Sequence, residues 1–161
     1  MPLTAHLYIT GSKQGKIEGS CDKAGREGSI LVLEFNHQVL ISRSGAAGPP
    51  TGKRIHHPLT AVKGFDKSSP KLYQALTGSE TLNEVRMDWY RINPMGKEEK
   101  YYTIRLEDAV IVSIAATMPH VWDPRFEKYS PTEAVSFSYR KITWTWEPEG
   151  IESEDDWKTA E

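Results

Sequence analysis

Apolar and polar residues alternate along most of the chain, the period-2 pattern of strands with one buried face. The longest run is residues 99–118. Tyr102, Ile104, Leu106, Val110, Val112 and Ile114 share one parity, interrupted only by Asp108, and Thr103, Arg105 and Glu107 take the other. In residues 82–93, Val85, Met87 and Trp89 oppose Glu84, Arg86, Asp88 and Tyr90. The turn sequence Asn93-Pro94-Met95-Gly96 joins the two runs into an expected hairpin. Residues 3–10 set Ala5, Leu7 and Ile9 against His6, Tyr8 and Thr10, and Gly11 ends the strand. Residues 30–44 are a long β-prone run, with Leu31, Leu33 and Phe35 in phase and a bend expected at Asn36 and His37. Residues 55–65 add another strand. Residues 17–28 supply a short strand among glycine-rich loops, and residues 119–131, with three prolines, a loop.

One segment changes period. In DKSSPKLYQALTG, residues 66–78, Leu72, Ala75 and Leu76 fall at i, i+3 and i+4, a helical face. Ser69 is placed to cap its start, Pro70 fits the first helical position, and Gly78 suits a left-handed stop. At barely two turns this helix needs packing to persist.

Residues 133–147 carry apolar side chains of both parities: Val135, Phe137 and Tyr139 on one, Ile142, Trp144 and Trp146 on the other. A regular strand cannot bury both sets on one face. Either a bulge near Arg140 and Lys141 shifts the phase, or both faces are covered, the second by a partner subunit. With seven or eight strands and one helix, the expected fold is mainly β. It is a two-sheet barrel or sandwich with a short helix over about residues 69–77 alongside, one domain spanning 1–161.

Residues 45–54, GAAGPPTGKR, hold three glycines and two prolines, a composition against regular structure. Two readings stand for this long segment: a contact loop, or a passive connection. Charge is unevenly spread. The net charge is −2, but residues 147–161 hold seven acids and one base, leaving 19 basic and 15 acidic residues elsewhere, about +4. The acidic end reads as a solvated tail or as one half of a charge match between copies. A body this weakly basic gives no case for nucleic acid. No run approaches the ~18 apolar residues of a membrane helix. The amino terminus lacks a signal-peptide pattern, and Cys21 alone builds no disulfide framework, so folding is expected in the cytoplasm.

The search for catalytic chemistry returns little. His56 and His57 are adjacent and point to opposite faces of a strand unless Pro58 breaks it; His6, His37 and His120 lack ligand spacing. Cys21 beside Asp22 has no identifiable base. No GxSxG, P-loop or dinucleotide pattern occurs, and GSKQGK at residues 11–16 precedes no helix. The carboxylates Glu98 and Glu99, and Glu107 and Asp108, read as solvated charge. No catalytic residue, metal site or cofactor is expected.

Four stretches in order carry a resemblance: PTGKRIHHPLT at 50–60, KSSPKLYQAL at 67–76, YYTIRLEDA at 101–109 and EAVSFSYRKITWTW at 133–146. Together they resemble the Hcp (haemolysin-coregulated protein) family, the tube subunit of bacterial type VI secretion. The resemblance implies a barrel of two sheets with one helix alongside, and six subunits in a ring with a wide channel. It implies rings stacked into a tube inside a contractile sheath, tipped by a spike protein and expelled without a signal peptide. Some members shelter small effectors in the lumen. The family's long loop maps onto residues 44–57, which makes Gly48, Pro49, Pro50, Thr51, Gly52, Lys53 and Arg54 ring-stacking candidates. Lys53 and Arg54 are expected to meet acidic groups of the next ring. Trp144, Trp146 and Arg140 are candidates for the in-ring interface. The chain is not expected to be a family member fused to a toxin, and its acidic end lies outside the motifs. Two other readings stand beside this one: a small β-barrel carrier of a ligand or effector that does not polymerise, and a hydrolase with a scattered active site.

Overall fold

The structure is a computed structural model that describes residues 3–43, 45 and 48–158, without the side chains of Pro50 and Thr51. Ser44, Ala46 and Ala47 of the expected loop, and residues 159–161 of the expected tail, lie outside the described residues. The elements are β1 (Ala5–Gly11), β2 (Gly15–Ile17), β3 (Ile30–Asn36), β4 (Val39–Arg43), β5 (Pro50–His56), β6 (Leu59–Gly64), α1 (Ser69–Thr77), β7 (Leu82–Ile92), β8 (Glu98–Thr117), β9 (Thr132–Ser138), β10 (Lys141–Trp146) and β11 (Ile151–Asp156).

Strands pair in the order β8-β7-β1-β3-β6-β9, and β9 returns to β8, closing a six-stranded antiparallel barrel. β8 makes both closure and extension possible because it is 20 residues long. Its carboxy-terminal half pairs with β9, from Val110↔Ser138 to Thr117↔Thr132. Its amino-terminal half pairs with β10, from Tyr102↔Trp146 to Glu107↔Lys141, and β11 extends β10 at the edge. β4 and β5 form a separate two-stranded sheet. Leu7, Ile9, Ile30, Leu59, Leu106, Phe137 and Ile142 fill the core. Each such side chain, fully buried, contributes roughly 1.5–3 kcal/mol.

The helix forms where its period placed it and packs on β8 through Leu72 and Ala75. Its ends differ in detail. Ser68 occupies the N-cap without a side-chain cap, and the Ser69 hydroxyl instead donates to Glu133 at 2.6 Å and accepts from the Asp66 N–H at 3.1 Å. Gly78 ends the helix at φ −90°, and the left-handed residue is Ser79 at φ 50°.

Where the expected faces fail, a bulge is the cause. In β8 the core-facing set runs Ile104, Leu106, Ala109, Ile111, because Asp108 adopts φ 50° and shifts the parity by one. Val112 is thereby turned out to solvent, and a second register shift between Ile111 and Ser113 returns Ile114 to the core. In β3 the buried residues are Ile30 and Val32, while Leu31 and Leu33 face outward. A shift between Val32 and Glu34 brings Phe35 back against the core. The two parities of residues 133–147 belong to two strands. The chain breaks at Tyr139 and Arg140, β9 ends and β10 begins, and Phe137 and Ile142 reach one core. The phase shift therefore brings Phe137, Ile142 and, in part, Trp144 to one core. Residues 55–65 likewise divide at His57 and Pro58 into β5 and β6.

Two expectations about irregular segments are corrected. Residues 50–54, expected to lack regular structure, begin β5: the partner β4 supplies the ladder that composition alone could not show. The acidic tail is a 3-10 turn at Glu147–Glu149 followed by β11, whose acidic residues pair with β10 along its whole length. It is an edge strand, and its charge guards an edge that would otherwise be open to pairing.

Candidate assembly surfaces

The β4–β5 hairpin carries the expected stacking residues. Its register is Val39↔His56, Leu40↔Ile55, Ile41↔Arg54 and Arg43↔Pro50, with an irregularity between Ile41 and Arg43. Gly48 and Pro49 precede β5, and Pro50, Thr51, Gly52, Lys53 and Arg54 lie within it. Val39, Ile41 and Ile55 are 40–49% exposed, so apolar burial does little to hold the hairpin to the barrel. Polar contacts do instead. The Arg54 guanidinium donates to both Asp155 oxygens at 2.5 and 2.8 Å and to the Asp156 carbonyl at 3.3 Å. His56 bonds Asp155 at 2.6 Å and the Tyr139 hydroxyl at 2.8 Å, and His37 reaches the same hydroxyl at 2.7 Å. Arg54 holds the Asp155 carboxyl below the usual range, and His56 adds to this. Burial, and secondarily Asp155, pushes the Tyr139 phenol up.

Lys53 and Arg54 thus have different situations. Lys53 is exposed and has no ionic partner among the described residues, whereas Arg54 is engaged within its own chain. The in-ring candidates also differ. Trp144 packs partly against the core. Trp146 meets Tyr101 edge-on, with centroids 5.9 Å apart, and Arg91 lies 5.2 Å over its ring. Arg140 bridges Asp108 at 2.7 Å and Asp156, pinning the β9–β10 break to β8 and β11. The sequence reading missed one surface. Met118, Val121, Trp122 and Tyr129 are 66–86% exposed in the loop between β8 and β9. An apolar cluster inside a proline-rich loop was the available signal, because such groups exposed together mark contact sites.

The histidines do not converge. His37 and His56 are joined through Tyr139, and His6 hydrogen-bonds Ser29 at 2.9 Å with the Cys21 sulfur 4.0 Å away. Among the described residues no three His, Cys, Asp or Glu side chains are placed to hold a metal ion.

Residues 6–146 match the family model described as "Type VI secretion system effector, Hcp". The chain belongs to the Hcp family. It is 43% identical to the "Major exported protein" of Pseudomonas aeruginosa, over 99% of this chain and 98% of that one. Among solved structures, an Hcp protein superposes with a TM-score of 0.90 at 33% identity, covering 98% of this chain and 99% of that chain. The secreted protein Hcp3 of Pseudomonas aeruginosa gives 0.79 at 39% identity, covering 96% and 97%. Hcp membership makes this barrel a tube subunit of the type VI secretion system, a structural protein of a secretion machine.

Proposed function

We propose that this Hcp chain closes into six-subunit rings that stack into the expelled inner tube, with the whole chain serving as one domain. Its partners are then copies of itself, the spike and sheath of the machine, and small effectors held in the lumen, with no nucleic acid and no membrane engaged. Assembly takes place in the cytoplasm and export follows without a signal peptide. The role is mechanical rather than catalytic. The observation that carries this reading is the near full-length similarity to solved Hcp proteins. The hairpin, which among the described residues forms a two-stranded sheet of its own and presents Val39, Ile41, Ile55 and Lys53 to solvent, supports a stacking role for that element.

Light scattering across salt, with electron micrographs of the same sample, tests it. Rings of six times the chain mass that stack at low salt are expected; a stable monomer at high concentration would overturn the reading in favour of a carrier that does not polymerise. Two variants separate the interfaces. Lys53→Glu reverses the exposed charge of the hairpin and is expected to leave rings intact while abolishing stacks, since contacts of this kind are salt-sensitive. Stacks that persist unchanged would remove Lys53 from the interface. Trp146→Ala is expected to weaken ring closure by about 2 kcal/mol per interface, roughly thirtyfold. A ring that resists dilution as well as the wild type would exclude it.

A further inference from the structure

The β4–β5 hairpin is attached to the rest of the chain through few side chains. All five side-chain hydrogen bonds between Val39–His56 and the rest of the described chain end on Tyr139, Asp155 or Asp156. His37, at the hinge between β3 and β4, ends on the same Tyr139 hydroxyl. The hinge and the hairpin are therefore tied to the β9–β10 break and to β11 by one small polar cluster.

The donor pattern of that cluster follows from chemistry. An ionised Asp155 only accepts, so the His56 Nε2 carries a hydrogen and donates to it. In a neutral imidazole Nδ1 is then an acceptor, and it receives the Tyr139 O–H. The Tyr139 oxygen in turn accepts from the His37 Nε2–H. Each donor in the chain His37, Tyr139, His56, Asp155 is matched once. One added proton is tolerated: with Nδ1 of His56 protonated, Tyr139 turns its hydrogen toward His37, which shifts to the other tautomer. A second proton is not. Two imidazolium rings then donate to one phenolic oxygen, the Tyr139 hydrogen has lost both acceptors, and two cations face each other across it.

We propose that His37, Tyr139 and His56 form an acid-opened latch that holds the β4–β5 hairpin against β11 at neutral pH and frees it on acidification. The charged and titratable groups at the two imidazoles are Tyr139 at the β9–β10 break, Asp155 on β11, Arg54 on β5 through Asp155, and His57 before β6, with Arg140 and Asp156 next in the chain to Tyr139 and Asp155. Arg140 is shared between Asp108 and Asp156, and Arg54 is held by Asp155, so these charges are matched without the histidines. Arg54 holds the Asp155 carboxyl below its usual range, so Asp155 keeps its charge in mild acid. Burial, and then the neighbouring His56 and His57, lower the pKa of His37. A released His37 takes a proton below about pH 6.5 while the latched one resists. Opening therefore begins below that value and gains about tenfold per pH unit until His37 protonates in place. The Arg54–Asp155 pair persists and limits the effect. Acidification would thereby loosen the element that faces the next ring. That consequence rests on the tube reading; the latch does not.

Hydrogen-exchange mass spectrometry on the full chain at pH 7.5 and 5.5, with times corrected for intrinsic rates, tests the latch. Peptides covering β4–β5 and β11 are expected to lose up to about tenfold protection at pH 5.5, while β7 peptides report any global change. His37→Gln keeps a donor toward Tyr139 but cannot be protonated, and is expected to restore protection at pH 5.5. Tyr139→Phe is expected to leave the hairpin open at both pH values. Hairpin protection that does not depend on pH in the wild type, opening of His37→Gln equal to wild type, or a pH response retained in Tyr139→Phe would each overturn the proposal. Light scattering of the same samples reads stacking separately: loss of pH response in stacks alone counts against the stacking consequence and not against the latch.

Discussion

Lys63→Met is expected to destabilise the protein by about 3–5 kcal/mol, the cost of leaving a buried charge without its partner. Lys63 follows Leu59 and Ala61 on the inward face of β6 and is fully buried, a core position occupied by a cation. Its ammonium contacts the Glu133 carboxylate and donates to the Gly64 carbonyl at 2.9 Å and the Ser69 hydroxyl at 3.1 Å, with the Asp66 carboxylate at 3.2 Å. Glu133 is itself 1% exposed. Methionine fills the space of the side chain but leaves two carboxylates facing each other without a counterion. Because Ser69 and Asp66 also shape the start of α1, the helix should lose exchange protection first. Lys63→Met with Glu133→Leu removes both buried charges and should recover most of the loss. Denaturant midpoints of the four proteins give the coupling. A single variant within about 1 kcal/mol of wild type would show that the ion pair contributes little.

Acidification from pH 7 to 4 is expected to cost about 3 kcal/mol through His6 alone. The ring is 2% exposed on β1, meets Tyr90 edge-on at 5.4 Å and hydrogen-bonds Ser29 at 2.9 Å. Burial first, then the cations Arg26 and Lys23, lower its pKa from 6.5 to about 4, while Glu98 opposes them. The unfolded imidazole binds a proton below about 6.5 and the folded one does not until about 4. The unfolded state therefore holds more protons across that window, and stability falls as pH falls through it. Above the window His6 contributes no pH dependence. His6→Gln should flatten the stability curve between pH 6.5 and 4 by nearly one proton's slope. An unchanged slope in urea denaturation across that range would show that another group carries it. This loss is global, in contrast to the hairpin opening, which leaves β7 protected.

Much of the barrel was legible because alternation is a local signal. The hairpin of residues 82–93 and 99–118, the first strand and the helix at Ser69–Thr77 all stand where the pattern placed them. The errors cluster at single residues. Asp108 in the left-handed region moves Val112 out and Ile111 in, and nothing in the identities of its neighbours announces a bulge there. The candidate site was legible in part. The segment containing Lys53 and Arg54 stands out in the sequence, but as an irregular loop, since its glycines and prolines conceal a strand that β4 completes. By sequence the acidic end is a tail, because seven like charges normally stay in water. Pairing with β10, and the bonds from Arg54, Lys141 and Arg140, make it a strand.

The sequence by itself determined the class of this protein: period-2 alternation demands strands, one period-3.6 segment demands one helix, and four ordered stretches mark it as an Hcp chain. It also determined that charge is segregated to one end. Only the tertiary structure decided which parity faces the core beyond each bulge, that residues 133–147 make two strands, and what the polar groups meet. Arg54 and Asp155 are 101 residues apart, and His37 and Tyr139 are 102. Local pattern reports the face of a strand only up to the next one-residue shift, and side-chain partners across a closed barrel are set by register, which exists only once the strands have paired.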